Sequence, residues 1–384
     1  MTQNSQKSKL LGLEALRGGA SILVVAHHFL LAFMPGLVGI LPWADNSHAL
    51  VGSPLFAFIN GMAAVMAFFV LSGYVLSLKG ISADANSALL DLACKRWFRL
   101  APIVTLSIFL SWAIFHLEQF YFADASALSG SDWLRNFAYG HLPQNYKPGF
   151  FEALWQGTIG TFIFGEKSLN SNLWTMKWEF FGSYLVFILA IFLRPRLKAL
   201  CWVLLPALLG TTFYLEPLFA PFVFGILATQ LRIHEWKLKG LVAFFVLLAG
   251  IYLCGFWHPI DYYGWAKWLP FNDQRRQVLI LSIGAFLLLI AFASQNPISQ
   301  KMNGKISLWL GQISFPLYLV HMLVITSLGS YVYIYFGGGM IGVIWAAVAV
   351  AIGCVPLVFI FSYFDRLVLQ LLKRWKIRAP KIGS

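Results

Sequence analysis

Apolar runs long enough to cross a lipid bilayer recur along the whole of this 384-residue chain. About 20 consecutive apolar residues are enough to span the hydrocarbon layer as a helix. Hydrophobic residues make up 59% of the chain and charged residues only 11%. The sequence therefore predicts a polytopic membrane protein.

The apolar runs predict an all-α fold with about ten transmembrane helices. Barrel strands would instead show alternating segments of about ten residues. The first run carries Glu14 and Arg17 and lacks a small-residue cleavage site, so we expect a retained span rather than a signal peptide. The predicted spans lie near residues 14–38, 54–78, 100–117, 172–193, 199–215, 217–231, 240–257, 278–294, 306–328 and 337–364.

The distribution of basic residues predicts the orientation of these spans. With the N-terminus in the cytoplasm, 21 of the 28 Lys and Arg residues lie on the cytoplasmic side, as the positive-inside rule requires. Both termini are then cytoplasmic, and the net charge of +13 is a topology signal rather than a sign of nucleic-acid binding. The cytoplasmic set is Lys7, Lys9, Arg17, Lys79, Lys95, Arg96, Arg99, Arg194, Arg196, Lys198, Arg232, Lys237, Lys239, Lys301, Lys305, Arg366, Lys373, Arg374, Lys376, Arg378 and Lys381.

This topology divides the chain into a cytoplasmic segment 1–13, a transmembrane domain 14–364 and a basic cytoplasmic tail 365–384. The only long external loop covers residues 118–171, and its apolar part, 150–164, predicts a short re-entrant or interfacial helix. No soluble catalytic domain is expected after the last span. We therefore expect any chemistry to take place in the membrane domain.

The first predicted span contains ionisable residues, which are rare inside membranes and usually functional. Arg17 and His28 are eleven positions apart and therefore share one helix face, about 16 Å apart along the axis. His27 points about 80° away from that face. Glu14 precedes Arg17 by three residues and can hold its guanidinium at the cytoplasmic interface. We predict a function for Arg17 and His28; the alternative is that Arg17 snorkels and the histidines satisfy each other.

Two further segments offer groups that suit an elongated anionic ligand. Arg96 and Arg99, in "KRWFRLAP", share one face at the predicted cytoplasmic entrance of the third span, where two guanidiniums can clamp phosphates. Positive-inside charge is the competing explanation. Ser72, Gly73 and Tyr74, in "FFVLSGYVLS", allow close approach of a slender ligand arm or, more commonly, of another helix.

The fourth span carries a polar stripe. Thr175, Glu179 and Ser183 recur at four-residue intervals in "NLWTMKWEFFGSYLVF", and Glu179 is predicted one to two turns below the external surface. A carboxylate at that depth needs a cationic or hydrogen-bonding partner. Glu179 is therefore either catalytic or part of a structural ion pair with an arginine of another span.

The ninth span, "ISLWLGQISFPLYLVHMLVI", carries Ser314, Tyr318 and His321 on one face. A single intramembrane histidine is more often a satisfied core residue than a catalyst. Its alignment with two hydroxyl groups makes His321 a second-tier candidate, together with Trp174, Thr175 and Tyr318. External aromatic residues around 112–178 and 256–271 either stack on sugar rings or form the interfacial belt, which is the usual default.

No metal site is predicted. The four cysteines lie far apart, without the paired spacing of a zinc or redox motif, and are expected to be packing residues. They are Cys94, Cys201, Cys254 and Cys354.

Taken together, these segments resemble the acyltransferase-3 family of integral-membrane O-acyltransferases. The ordered matches extend over residues 13–321, which is most of the chain. The sequence has Glu14 where many members have Asp, and Thr-Met-Lys-Trp-Glu where bacterial members often have Ser-Leu-Ser-x-Glu. The matching segments are "LEALRG" with Arg17 and, after ten residues, His28; "FFVLSGY"; "RWFR"; "LWTMKWEF" with Glu179; and "ISFPLYLVH" with His321.

The resemblance implies an enzyme of the cell inner (plasma) membrane, in contact with membrane lipids. Its donor is cytoplasmic acetyl-CoA or another acyl-CoA, and its acceptor is a hydroxyl of an extracytoplasmic or lipid-linked glycan. Arg17 and His28 are implied to be essential and Glu179 to match the family's acidic position. The residues expected to bind coenzyme A are Arg96, Arg99, Ser72, Gly73 and Tyr74.

The expected mechanism has His28 as the general base that takes the proton of the acceptor hydroxyl while its oxygen attacks the thioester. An acetyl-histidine intermediate is the alternative route. Arg17 is expected to neutralise donor charge, and Glu179 to position the acceptor or orient a cation.

Two other classes of protein would also keep these ionisable groups inside the membrane. A proton-coupled transporter or flippase of a sugar or lipid-linked precursor uses such groups as proton relays but needs no phosphate clamp. The absence of an obvious internal repeat weakens that alternative. A sensor or scaffold needs none of these residues for acyl chemistry. The ordered motif set favours the enzyme.

Overall fold

A computed structural model of the protein describes residues 3–41, 48–82, 86–137, 140–192, 198–302 and 304–375, and no β-strand occurs in those ranges. Two π-helical segments, Gln156–Phe164 and Ile325–Gly329, extend α7 and α14. The α-helices are α1 (Gln3–Phe33), α2 (Pro35–Val38), α3 (Gly61–Ser82), α4 (Asn86–His116), α5 (Phe122–Ser129), α6 (Asp132–Arg135), α7 (Phe150–Trp155), α8 (Trp174–Phe192), α9 (Lys198–Leu215), α10 (Ala220–Gln230), α11 (Gly240–Cys254), α12 (Asp273–Ala293), α13 (Pro297–Lys301), α14 (Lys305–Val324), α15 (Ser330–Tyr335) and α16 (Gly339–Arg374).

Each of the ten predicted spans coincides with one of these helices, which confirms the all-helical fold class. Three of the ten are shorter apolar helices, Trp202–Leu215, Pro217–Gln230 and Gly240–Cys254, so ten crossings remain a prediction. Six described stretches are long and apolar enough to cross a bilayer: Leu11–Phe33, Gly61–Gly80, Leu89–His116, Asp273–Ala293, Lys305–Tyr335 and Gly339–Arg374.

The third predicted span, which is α4 in the structure, differs from its prediction in a way that matters for the site. It begins at Asn86 rather than near residue 100, so Arg96 lies within the helix and not at its mouth. The second predicted span is α3, which begins at Gly61 rather than at residue 54. The amide oxygen of Asn60 caps the start of α3, because it accepts hydrogen bonds from the backbone of Met62 and Ala63.

The first helix packs closely against α14, and small residues make this approach possible. A Cβ atom at Gly18 would overlap Leu310, and one at Gly311 would overlap the carboxylate of Glu14. Small residues at such positions let two membrane helices bring their backbones together. The α1–α14 pair therefore holds the side chains of its shared face in fixed relation.

A second close contact joins α3 to α10. A Cβ atom at Gly73 would overlap the backbone of Phe222, and one at Gly225 would overlap the backbone of Val70. Tyr74 is buried beside them. Gly73 and Tyr74 therefore pack between helices, which is the commoner of the two explanations offered by the sequence.

The loop between α4 and α8 is helical in part and covers the bundle. The predicted helix at 150–164 is present as α7 and the π-helical segment that follows it. Gly157 of that segment lies against Thr105 of α4, and the carbonyl of Thr158 accepts a hydrogen bond from the indole of Trp97 at 2.9 Å. The segment thus packs on the bundle through α4.

Several residues on which the predicted orientation rests lie outside the described residues or have side chains that are not described. They are Lys7, Lys9, Arg194, Arg196, Lys198, Lys376, Arg378 and Lys381.

The close contact at Gly73 predicts that Gly73→Ala lowers the apparent Tm of the detergent-solubilised protein. The added methyl group must displace backbone, and such overpacking costs about 1–3 kcal/mol. The matched control is Gly210→Ala in α9, where nothing lies within 4 Å of the added atom. That control is expected to leave the Tm unchanged or slightly higher, because alanine favours helix over glycine. Equal Tm values for the two variants would contradict the close contact.

Candidate active site

A cavity of about 280 Å³ lies where the C-terminal half of α1 meets the N-terminal ends of α3 and α8. Three tryptophans, Trp133, Trp174 and Trp257, form part of its wall. His27 and His28 of α1 also line it. An aromatic cavity with a few polar groups is typical of a site for a small molecule.

His28 is paired with His321 across the α1–α14 contact. Its Nδ1 lies 2.8 Å from Nε2 of His321, a hydrogen-bonding distance. Of the two rings, only His28 lines the cavity. The second-tier residue His321 therefore contacts the predicted base directly, which the alignment of Ser314, Tyr318 and His321 on one helix face did not reveal.

His27 has a different hydrogen-bond partner from His28. Its Nδ1 lies 2.7 Å from the carbonyl oxygen of Ile59. Since a carbonyl can only accept, Nδ1 of His27 carries a proton and is fixed to the backbone. His27 is thus a hydrogen-bonded neighbour of His28 that lines the same cavity.

The external loop supplies one wall of the cavity. Trp133 of α6 lies nearly parallel to the His28 ring, with centroids 5.4 Å apart and 17° between the ring planes. Ser131 fixes α6 here, because its hydroxyl donates to the carbonyl of Leu31 at 2.6 Å and accepts from the backbone of Leu134 at 3.2 Å. The loop therefore forms part of the cavity wall beside the end of α1.

The start of α8 is locked to α14 by reciprocal hydrogen bonds. The side-chain amide of Asn172 donates to the backbone carbonyl of Tyr318, and the Tyr318 hydroxyl donates to the backbone carbonyl of Asn172. The Thr175 hydroxyl also lies 2.6 Å from the Tyr318 hydroxyl. Asn172 and Tyr318 both line the cavity, so this lock sets its shape.

One helical turn beyond Thr175, Glu179 is the centre of a second polar cluster. It forms an ion pair with Arg96, and it accepts a hydrogen bond from Ser72 at 2.7 Å. Nε of Arg96 also donates to the Ser183 hydroxyl at 2.8 Å. Three helices, α3, α4 and α8, meet at this cluster.

This cluster corrects two expectations about depth and pairing. Glu179 was placed near the external surface and Arg96 at the cytoplasmic mouth, yet the two side chains touch inside the bundle. The reason is the early start of α4, which brings Arg96 inside, where it needs a carboxylate. Arg96 is therefore engaged by Glu179, and the predicted two-arginine clamp reduces to the exposed Arg99.

The remaining cations gather around the first half of α1. One guanidinium nitrogen of Arg17 lies 3.0 Å from each carboxylate oxygen of Glu14, which confirms the predicted pair. The Arg17 side chain is 32% exposed. Lys79 and Arg99, both exposed, lie within electrostatic range of Arg17 and of each other. Carboxylates accompany two of these cations, since Glu14 binds Arg17 and Asp365 lies within electrostatic range of Arg99. We call this group of three cations the cationic end of the bundle.

A polar column connects the charged end to the cavity. From Arg96 it passes through Glu179 and Thr175, which are about 6 Å apart along α8, to Tyr318 and then His321. These groups form a series of neighbouring polar side chains between the Glu179 cluster and the cavity.

Sequence reasoning did not single out three lining residues, Trp133, Asn172 and Trp257. Trp257 belongs to the external aromatic set, for which the interfacial belt was the default. Trp133 belongs to the same external aromatic set, in its 112–178 part. Asn172 carries no local signal, because a contact between distant segments is not encoded in spacing along one helix. Among the described residues, no group of three or more His, Cys, Asp or Glu side chains is arranged to hold a metal ion.

A comparison with protein families gives one match. The model described as "acyltransferase domain", Acyl_transf_3, matches residues 10–363, which is nearly the whole chain. No curated protein and no solved structure matches the chain significantly.

The Arg96–Glu179 pair predicts that Glu179→Ala lowers the free energy of unfolding by about 3 kcal/mol, because it leaves a largely buried guanidinium without its carboxylate. The measurement is the apparent Tm in detergent. Replacing both partners, Arg96→Met with Glu179→Met, is expected to recover most of the loss. The control is Glu118→Ala, which removes an exposed ion pair with Lys147 and is expected to leave the Tm unchanged. A Glu179→Ala protein as stable as the control would contradict the structural role of the pair.

Proposed function

Because the chain belongs to the acyltransferase-3 family, we propose that it is a membrane O-acetyltransferase. It moves an acetyl group from cytoplasmic acetyl-CoA to a hydroxyl of an extracytoplasmic or lipid-linked glycan. The observation that carries this proposal is the position of His28, which faces an aromatic cavity at one end of a polar column whose other end is cationic.

The cationic end is suited to the phosphates of coenzyme A. Arg99 and Lys79 are exposed there, and Arg17 keeps part of its guanidinium accessible beside Glu14. Arginine matches phosphate geometry through its planar fork of donors. Arg96 acts differently from the sequence expectation: its contacts with Glu179 and Ser183 orient it within the column, where it faces the donor's path rather than the solvent.

The pantetheine arm then follows the polar column. Ser72 belongs to this column because its hydroxyl donates a hydrogen bond to the carboxylate of Glu179. Gly73 and Tyr74, which pack between α3 and α10, drop out of the donor site. Arg17 and His28 are about 16 Å apart along α1, so one slender chain bridges the cationic end and the base.

The cavity is suited to a sugar ring. Tryptophan faces pack against the C–H faces of a sugar, and the few polar lining groups offer partners for its hydroxyls. Trp133 beside His28, Trp174 at the start of α8 and Trp257 are the walls that we assign to the acceptor. A volume of about 280 Å³ leaves room for a sugar unit.

The reaction needs one proton to move twice. His28 takes the proton of the acceptor hydroxyl at Nε2 while the hydroxyl oxygen forms a bond to the thioester carbonyl carbon. The carbon–sulfur bond then breaks, and the leaving thiolate takes that proton from Nε2. The products are the acetyl ester and free coenzyme A. General-base assistance of this kind contributes about a hundred- to ten-thousand-fold in rate.

The base assignment predicts that His28→Ala lowers acetyl transfer about a hundredfold or more at equal protein level, because the variant loses the general base that we assign to the hydroxyl proton. The measurement is mass spectrometry of acetate on the glycans of producing cells. His27→Ala is the matched comparison, since His27 faces the same cavity with its Nδ1 held by Ile59. Its activity is expected to fall only modestly. Retained activity in the His28 variant, or loss confined to the His27 variant, would contradict the assignment.

The donor assignment predicts that Arg99→Ala raises the KM for acetyl-CoA about tenfold without changing kcat, since one charge-assisted hydrogen bond contributes about 1.5 kcal/mol to binding in ground and transition states alike. Initial rates of coenzyme A release by membrane vesicles measure both constants. Lys267→Ala removes an exposed cation that the topology places on the external side and is the control. An unchanged KM in the Arg99 variant would indicate that Arg99 only sets topology.

A further inference from the structure

We propose that His321 is a positioning residue that fixes the tautomer of His28, so that Nε2 of His28 is the unprotonated nitrogen facing the cavity. This inference rests on the proposed function for its catalytic meaning, while the hydrogen-bond relay itself is a property of the two rings. His321 does not line the cavity, so it acts through His28 and not on the substrate.

The relay begins at a backbone carbonyl. Nδ1 of His321 lies 3.0 Å from the carbonyl oxygen of Leu317, one turn earlier in α14. A carbonyl oxygen only accepts hydrogen bonds, so Nδ1 of His321 carries a proton. In a neutral imidazole the other nitrogen is then an acceptor. Nε2 of His321 therefore presents a lone pair to its neighbour.

That neighbour is Nδ1 of His28, at 2.8 Å. Two nitrogens that share one hydrogen bond need one donor and one acceptor, so Nδ1 of His28 must carry the proton. Its Nε2 is then unprotonated. Nε2 of His28 has no hydrogen-bond partner among the described residues, and it is not one of their fully buried polar atoms that lack a partner. Since His28 lines the cavity, we infer that Nε2 is the ring nitrogen exposed to it.

The ring geometry supports a straight bond rather than a stacking contact. The two ring planes differ by only 4°, and their centroids are 5.1 Å apart. This separation is as large as a 2.8 Å nitrogen–nitrogen distance allows, because each nitrogen lies on its ring perimeter. The two rings therefore lie edge to edge in one plane, with the N–H of one aimed along the lone pair of the other.

A doubly protonated His321 would reverse the relay, and its surroundings oppose that form. The His321 side chain is 0% exposed, and no carboxylate contacts either ring among the described side chains. An unpaired cation in such a place is costly. His321 is therefore neutral. Its Nδ1 donates to the carbonyl of Leu317, and its Nε2 accepts from Nδ1 of His28.

The relay also serves the reaction. When Nε2 of His28 takes the hydroxyl proton, the ring becomes an imidazolium, and its Nδ1–H bond to His321 becomes charge-assisted and stronger. Nδ1 of His321 keeps its own proton throughout and donates it in the hydrogen bond to the carbonyl oxygen of Leu317. A base oriented by a third group is the usual arrangement in acid–base catalysis, although the orienting group here is neutral.

The test compares two replacements of His321. In His321→Gln the side-chain carbonyl oxygen reaches the position of Nε2 and accepts from His28, while His321→Phe fills the same volume without an acceptor. For His321→Phe we expect kcat for coenzyme A release from acetyl-CoA, in membrane vesicles with their own acceptor, to fall about 10- to 100-fold with KM unchanged, as typical for loss of an orienting partner. His321→Gln is expected to stay within a few-fold of the wild type.

A second measurement reads the tautomer without any reaction. Nitrogen-15 NMR of the histidine rings separates protonated from unprotonated nitrogens, and the His28 signals are those that disappear in His28→Ala. We expect an unprotonated Nε2 in the wild type and a mixture of tautomers in His321→Phe. Equal rates for the two His321 variants, or a protonated Nε2 in the wild type, would overturn the relay. Retained activity in His28→Ala would overturn the proposed function instead, and the spectrum then decides the relay alone.

Discussion

A charged or polar group inside a bilayer is stable only when protein groups replace the water that it has lost. In this protein that constraint selects which helices must touch. Glu179 and Arg96 join α8 to α4, and Ser72 brings in α3. His28 and His321 join α1 to α14. The contacts that satisfy these groups therefore also set the packing of the helices that form the column and the cavity.

The two ends of that arrangement are chemically different. One end gathers exposed cations around Arg17, and the other encloses a cavity walled by Trp133, Trp174 and Trp257. The donor that we propose carries phosphates and the acceptor that we propose carries sugar hydroxyls, and we assign one end to each of them. The family to which the chain belongs transfers acyl groups, and a transfer across the bilayer needs two such ends with a base between them.

Much of the fold could be predicted from sequence because membrane helices are encoded locally. Apolar runs gave ten helix positions, and the spacings of Glu14 with Arg17 and of Thr175, Glu179 and Ser183 gave faces that the structure confirms. Periodicity fixes the face of a helix and not its depth or its neighbour. The early start of α4, which brings Arg96 to Glu179, was missed for that reason.

The site was harder to predict, because its contacts join distant segments. Trp133 comes from a loop, and Asn172 depends on a reciprocal pair with Tyr318. His321 was weighed as a core histidine, since nothing near it in sequence identifies His28 as its partner. Gly73 matched a motif but serves helix packing. Such pairings need the three-dimensional arrangement, in which long-range packing decides between explanations that the sequence leaves open.

The central claim is that acetyl crosses the membrane through this protein, from a cationic cytoplasmic end to an external acceptor. Sealed vesicles of known orientation test it most directly. With isotope-labelled acetyl-CoA supplied only outside inverted vesicles, the account predicts labelled acetyl esters on glycans inside the lumen and none when right-side-out vesicles receive the same donor. Labelled esters on the face that received the donor, or equal labelling in both orientations, would contradict it.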